Sequence, residues 1–351
     1  MKYFASADVS SSVPPNMNQS EIHIERKEGI VSVRKQDDDH QLLVTLLPRS
    51  PALYIPRRSC KTTFSLEMVE FLLQRSDFAW LCDNLARHDD SVPDALKHQL
   101  FSYFTPDDLA GKRLLDFGCG CGASTLAMAR MLPGTQIVGV ELDADKIETA
   151  NRIKLFRSAD NVDFLCSPAG DELPPEVGKF DFVMLSAVYE HLLPKERQIV
   201  LPLIWSVMKP GAAILINQTP YRFSPYEAHS TGLWLINYLP DKLTHFVVRH
   251  FAGRNPRINK SSDWSVHLRG GLRGGTEREI IRNLTGGDAG AARMLQPRQN
   301  GVRDRADLWL SSTSQRHRTL KKIIAGEFRF SDRLWGTIPN LNLEVVIQKV
   351  R

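Results

Sequence analysis

Leu114-Leu115-Asp116-Phe117-Gly118-Cys119-Gly120-Cys121-Gly122 is an apolar run that meets three alternate glycines, and Ala123 to Met131 then continues at helical spacing. The stretch reads as strand, tight turn, helix. Glycine permits the left-handed backbone that such a turn needs, and it lets a ligand lie against the main chain with no Cβ in the way. The glycines alone do not choose the ligand, because Gly118-x-Gly120-x-x-Ala123 also satisfies the dinucleotide fingerprint.

Asp116 separates the possibilities. A carboxylate at the mouth of the strand repels the diphosphate of NAD or FAD and favours the ammonium and sulfonium charges of S-adenosylmethionine. A matching acid ends the next apolar run, Val138-Gly139-Val140-Glu141-Leu142, 23 residues after Gly118. Glu141 there is placed to accept both ribose hydroxyl hydrogens, with Leu142 flanking the adenine. The plain alternative for Glu141 is a helix-capping acid shared with Asp143 and Asp145.

Outward from this turn, short apolar runs alternate with helical patterns. Strands are expected at Arg113–Phe117, Gln136–Glu141, Val162–Cys166, Phe180–Ser186 and Ala212–Asn217, with helices at Ala123–Met131, Ala144–Leu155 and Pro194–Met208. That rhythm predicts an α/β fold with a doubly wound, mostly parallel sheet. Leu341 to Val350 alternates again and is expected to close the sheet edge, which makes residues 220–338 an insertion over the strand ends. Residues 1–105 read as an N-terminal extension. It holds a small β meander (Ile22/Ile24, Ile30–Val33, Leu42–Leu47) and a helical lead-in from Ser65 through Trp80, Leu85 and Leu100 that lies across a ligand site. The core is then 106–219, with 339–351 as its last strand.

Composition sets outer limits. With 42% hydrophobic and 24% charged residues the chain is an ordinary globular protein. No apolar run reaches membrane-spanning length and Met1 to Asn18 lacks the pattern of a signal peptide, so a cytoplasmic location is expected. Five cysteines argue against a disulfide framework, and Cys119-x-Cys121 without a second pair does not suggest zinc. Residues 251–351 hold 19 basic against 9 acidic residues, a net of +10. Such a stretch attracts anions, yet it has no aromatic-interleaved basic motif, so a solvated surface is preferred to a nucleic-acid partner.

Taken together these residues resemble the class I, Rossmann-like S-adenosylmethionine-dependent methyltransferases of small-molecule type. Asp116 to Gly122 is similar to the family's D-x-G-x-G-x-G, and Glu141 to its ribose-binding acid. Phe180-Asp181-Phe182-Val183-Met184 with Glu190-His191-Leu192 resembles its fourth strand, and Met208-Lys209-Pro210-Gly211 its turn before strand five. The resemblance implies S-adenosyl-L-methionine as cofactor, held by Asp116, Phe117, Gly118, Gly120, Gly122, Glu141 and Leu142, with Ser167, Ala169 and Ser186 from the next strands. One departure stands out: Pro168 occupies the usual place of an aspartate that binds adenine. Ser167, backbone groups or Asp171 are then left for that task.

Methyl transfer from a sulfonium demands chiefly alignment and exclusion of water. If the acceptor is a hydroxyl, a histidine is the natural base, and His229 and His191 are the candidates. Each has a bland alternative as a loop or packing histidine. Tyr221, Arg222, Tyr226 and Trp234 are expected to line the acceptor pocket, Arg222 meeting an acidic group, unless the aromatics simply fill the core. No spacing suggests a metal site. The expected activity is O-methylation of a carbohydrate or other secondary metabolite. N- or C-methylation, an RNA methyltransferase using the basic region, and a non-catalytic cofactor-binding subunit are the alternatives. Neither the acceptor nor the oligomeric state is readable.

Overall fold

The described residues of the computed structural model are 21–351, apart from 37–40, 51–56, 77, 79–80, 89–93, 254–255 and 315. Trp80 and the aspartates at 37–39 therefore lie outside the described residues. Contacts divide the chain into two compact units, 1–89 and 90–351.

In the first unit, the alternating segments form an antiparallel meander of β1 (Glu21–Glu25), β2 (Gly29–Lys35), β3 (Leu42–Pro48) and β4 (Arg58–Thr62). The fourth strand, Arg58-Ser59-Cys60-Lys61-Thr62, carries no apolar alternation and was not readable; it exists by backbone pairing to β3. Ser65 caps the helix Leu66–Arg75 by accepting from the Met68 amide, and Met68, Val69, Leu72 and Leu73 are buried along one stripe.

The second unit is built on a seven-stranded sheet. Its strands are β5 (Arg113–Phe117), β6 (Gln136–Glu141), β7 (Val162–Cys166), β8 (Phe180–Ser186), β9 (Met208–Pro220), β10 (Ala292–Met294) and β11 (Asn342–Lys349). They lie in the order β10-β11-β9-β8-β5-β6-β7. The pairs β5–β6, β6–β7, β5–β8 and β8–β9 are parallel, while β11 runs antiparallel to β9 and to β10. From β5 the chain winds out to β6 and β7, then crosses back to β8 on the other side. The carboxyl ends of β5 and β8 thus flank a topological switch point, the place where open α/β sheets bind ligands. Leu115, Val183, Leu185, Ile214, Ile216 and Val345 are all buried in the layer between sheet and helices, as parallel strands covered on both faces require.

Three differences from the sequence reading have physical causes. Met208-Lys209-Pro210-Gly211 is a bulge inside β9, not a turn before it: Phe180 pairs with Met208 but Phe182 already pairs with Ala213, and Gly211 absorbs the surplus at φ +83°. The sheet edge is β10 rather than β11, since three residues of the insertion add a last antiparallel strand. The helix Asp94–Tyr103, read as part of the N-terminal extension, belongs to the second unit, where Gln99 accepts a side-chain hydrogen bond from Asn217 near the end of β9.

Candidate active site

The three glycines of the turn do different things. All have positive φ: +73° at Gly118, +55° at Gly120 and +83° at Gly122. A Cβ on Gly118 would stand 2.7 Å from Val188 Cγ2, and one on Gly122 would stand 2.6 Å from the Phe164 ring. These two let the turn pack against β8 and β7. A Cβ on Gly120 would meet nothing within 4 Å, so this glycine alone faces open space, the place where a ligand can lie on bare backbone.

Asp116 is not at the surface of this turn. It is 1% exposed, and its Oδ2 accepts from Ser124 Oγ and Thr125 Oγ1, both at 2.7 Å. The carboxylate therefore fastens the first turn of the helix Ala123–Met131 to β5. Burial raises its pKa to about 6, against the lowering effect of the two hydroxyls. Its expected contact with the cationic groups of a ligand is replaced by this internal role, because the hydroxyls come from the helix that the glycines redirect. The helix itself has Gly122 as N-cap, with no side chain capping it, so its first amides point toward the turn.

Glu141 reaches the turn directly. Oε2 accepts from the Gly120 amide at 3.0 Å, and Oε1 accepts from Leu142 N at 3.0 Å and Asp143 N at 3.3 Å. The capping alternative is answered: Asp143 is the N-cap of the helix Ala144–Arg157, accepting from Asp145 N and Lys146 N. A carboxylate has about four lone-pair sites. With three engaged by backbone amides, two ribose hydroxyls fit only if the longest contact, that to Asp143 N, is given up. Beside it Leu142 is 55% exposed, an apolar surface of the kind a flat base covers. Ser167 is buried and its amide donates to the Glu141 carbonyl at 2.9 Å, while Ala169 is half-buried and Asp171 exposed. Phe117 and Ser186 are half-buried at the ends of β5 and β8.

Past β8 the backbone is strained. Ala187 has φ +56° and Gln218, at the end of neighbouring β9, φ +59°, conformations costing non-glycine residues about 1 kcal/mol each. Strain of this kind gathers at functional sites. It aims the next segment, where Glu190 is fully buried. Glu190 Oε2 accepts from Thr219 Oγ1 at 3.0 Å, its Oε1 has no hydrogen-bond partner, and burial holds the carboxyl above its ordinary range.

The two candidate histidines meet here. Their rings are 5.9 Å apart, although 191 follows β8 and 229 lies in the insertion. His191 Nδ1 is 2.7 Å from the Arg269 carbonyl, which can only accept, so Nδ1 carries the proton and Nε2 offers a lone pair. Nε2 lies 3.9 Å from Glu190 Oε1. Behind His229 sits Gly271 at φ +88°, where a Cβ would stand 2.4 Å from His229 Cδ2.

Of the residues expected to line an acceptor pocket, Tyr221 and Tyr226 line one small cavity together with His229, while Arg222 lines another. Tyr221 is 7% exposed and packs into the core beneath the insertion, its hydroxyl 3.2 Å from Thr337 Oγ1, which gives its own hydrogen to Glu277. Tyr226 and Trp234 bridge two strands of loop with ring centroids 4.9 Å apart, and Trp234 is 70% exposed. Arg222 donates to the Asn237 carbonyl and lines a cleft of about 370 Å³ with Phe223, Thr276, Arg278, Glu279 and Arg282.

Sequence reasoning missed the working neighbours of these groups. Glu190 and Thr219 were visible only as motif letters, and Arg269 and Gly271 not at all. Nothing in the local sequence marks a carbonyl 78 residues away as the partner of His191. Some of the basic residues of the stretch 251–351 are paired, two of them in buried positions. Arg305 pairs with Glu277 and Asp332, Arg273 with Asp241, Arg269 with Glu196, and Arg303 and Arg329 with Asp307. Among the described residues no helix is long and apolar enough to cross a membrane.

Residues 114–211 match the family model described as a methyltransferase domain. The ubiquinone biosynthesis O-methyltransferase of Aromatoleum aromaticum is 30% identical over 141 residues, 40% of this chain and 58% of that protein. Its namesake from Xanthomonas oryzae pv. oryzae is 30% identical over 120 residues, 33% of this chain and 48% of that one. The chain thus spans about half the length of the curated relatives it matches. The plantazolicin methyltransferase BpumL, solved with S-adenosylhomocysteine, aligns with 74% of this chain and 84% of its own at 14% identity and a TM-score of 0.40.

Proposed function

Since residues 114–211 form a class I methyltransferase domain, whose cofactor is S-adenosylmethionine, we propose that the chain methylates an oxygen of a small molecule, a carbohydrate or another secondary metabolite. The observation that carries the cofactor half is the open space over Gly120 with Glu141 bonded to its amide. Those residues would hold the ribose and the backbone-facing edge of the cofactor, with Leu142 against the base. When bound, S-adenosylmethionine supplies a methyl group already activated on a sulfonium.

The chain's own residues then have to place an acceptor and take its proton. The groups set for this are at the end of β8. The Nδ1 bond fixes the tautomer of His191, so its Nε2 can receive a hydroxyl proton, and Glu190 Oε1 at 3.9 Å would stabilise the imidazolium that results. His229 stands beside it. A base held for a hydroxyl proton, together with relatives that carry O-methyltransferase in their names, supports oxygen as the acceptor atom.

Titration calorimetry of the purified protein with S-adenosylmethionine is the direct test. Binding with one site per chain is expected; no heat at millimolar cofactor would overturn the proposal. Incubation with methyl-labelled cofactor and a panel of hydroxylated metabolites then identifies the acceptor, and label found only in nitrogen or carbon would refute the oxygen assignment.

A further inference from the structure

Glu190, His191 and His229 place one donor atom each within 4.8 Å of the other two. Two imidazoles and a carboxylate make a donor set suited to zinc or another first-row divalent cation rather than to magnesium or calcium, which prefer all-oxygen cages. Three features show a site that is built rather than a chance meeting of side chains.

The first is orientation by neighbours. Metal-bound histidines characteristically donate their second ring N–H to a carbonyl or carboxylate, and bound carboxylates are themselves hydrogen-bonded. His191 Nδ1 has the Arg269 carbonyl at 2.7 Å, which turns Nε2 inward, and Glu190 Oε2 holds the Thr219 hydroxyl at 3.0 Å, which leaves Oε1 turned toward the histidines. The second is the unpartnered atom. Glu190 is fully buried, yet Oε1 has no hydrogen-bond partner, and a buried carboxylate oxygen left so is costly unless something cationic meets it. The third is Gly271. Its φ of +88° and missing Cβ leave room for the His229 ring, since a Cβ would lie 2.6 Å from His229 Nε2.

From these observations we propose that Glu190, His191 and His229 form a site for a first-row divalent cation, completed when the insertion brings His229 over the end of β8. With bonds of about 2.0–2.2 Å, donors around such an ion stand roughly 3.0–3.5 Å apart. The cluster is somewhat wider, so the donors must draw together around the ion, and both histidine side chains are solvent-exposed. Three protein donors leave at least one coordination position for an oxygen ligand, either water or a hydroxyl of the acceptor. The site rests on the methyltransferase reading only for that last ligand; the cation itself is bound by the protein alone, and while it is bound His191 Nε2 is a ligand rather than a base, so the cation in place of the imidazole would ease loss of the acceptor's hydroxyl proton. No local spacing announces it, because Glu190-His191 with a third donor 38 residues on matches no metal motif.

The test is titration of untagged, chelator-treated protein with Zn²⁺ in a calorimeter, and with Co²⁺ by its visible absorption. One cation per chain with micromolar or tighter affinity is expected. His229→Ala, a change on an exposed loop, should weaken it at least 100-fold, and Glu190→Gln should do so too where it folds. S-adenosylmethionine affinity, set by Gly120 and Glu141, should be unchanged in His229→Ala, so failure of the cation site and failure of the cofactor site are read separately. No binding at 1 mM cation, or binding equally tight in His229→Ala, would overturn the proposal.

Discussion

The glycine turn and the insertion after β9 secure their polar groups in opposite ways. Around the turn the partners are close in sequence or adjacent in strand register: Asp116 with Ser124 and Thr125, Glu141 with the Gly120 amide. Glycine conformation shapes that turn, and the side chains fasten it. In the insertion the partners are distant. Arg197 donates to the carbonyls of Gly274 and Arg273, His191 meets the carbonyl of Arg269, and Arg305 is buried between Glu277 and Asp332. One site is made of a turn that a few residues specify, the other of charges that only the completed fold brings together.

That contrast breaks most visibly at Arg305. Its guanidinium is 2.7 Å from Glu277 and 2.9 Å from Asp332, and Arg305 and Glu277 have side chains no more than 3% exposed. Glu277 also accepts from Thr337 Oγ1 at 2.7 Å and from the Ile338 amide, so it draws together the insertion and the approach to β11. Arg305→Ala strands a buried carboxylate and should destabilise the protein by about 3–5 kcal/mol in urea unfolding. A loss below about 1 kcal/mol would mean that the insertion does not depend on its buried charges.

Glu141→Ala is the corresponding lesion on the cofactor side, and it should spare the fold. The backbone amides it releases are near the surface and can turn to water. S-adenosylmethionine affinity should fall about 100-fold, close to 2.7 kcal/mol, the size expected for charge-assisted bonds to ribose hydroxyls. Unchanged affinity in calorimetry would leave Glu141 as a brace for the turn and nothing more.

The same contrast explains what the sequence could disclose. Strands β5 to β8 and the helix Ala123–Met131 fall where their apolar periodicity places them, since parallel strands buried on both faces must be continuous apolar runs. The turn was legible because glycine spacing encodes backbone conformation. Its detail was not: Asp116 looked like a ligand contact, and only the fold shows Ser124 and Thr125 claiming its carboxylate. In the insertion, Tyr221 looked like a pocket residue, and it lines a small cavity with Tyr226 and His229 although most of its ring is buried in the core. The meeting of His191 with His229 depends on Gly271 and Arg269, which no local pattern connects to either.

The glycines themselves offer a finer comparison. At Gly122 an added methyl would press on the Phe164 ring, so Gly122→Ala damages the packing of β7 and lowers the melting temperature. At Gly120 the methyl has room in the protein, and its cost to folding is the strain of φ +55°, about 1 kcal/mol. The methyl occupies ligand space instead. Gly120→Ala should therefore weaken S-adenosylmethionine at least tenfold, about 1.4 kcal/mol, with a melting temperature closer to wild type than that of Gly122→Ala. Equal binding loss in both variants, scaled to their stability, would remove the distinction between a ligand-facing and a packing glycine.

The smallest effect tests whether Asp116 serves the fold by position or by charge. Burial raises its folded pKa to about 6 from the ordinary 3.8, so the folded state holds the proton more tightly than the unfolded chain does. Its contribution to stability is therefore fully present below the unfolded pKa and fades as pH rises through about 6. Asp116→Asn keeps an oxygen able to accept from Ser124 and Thr125 and has no proton to lose. Its stability relative to wild type should consequently improve by about 1.4 kcal/mol between roughly pH 5 and pH 7.5, the amount linkage assigns to that shift over that window. Paired urea titrations at the two pH values measure it. A difference that stays flat would show that the carboxylate is hydrated in the folded protein, and would return Asp116 to the ligand-facing role that its place before the glycines first suggested.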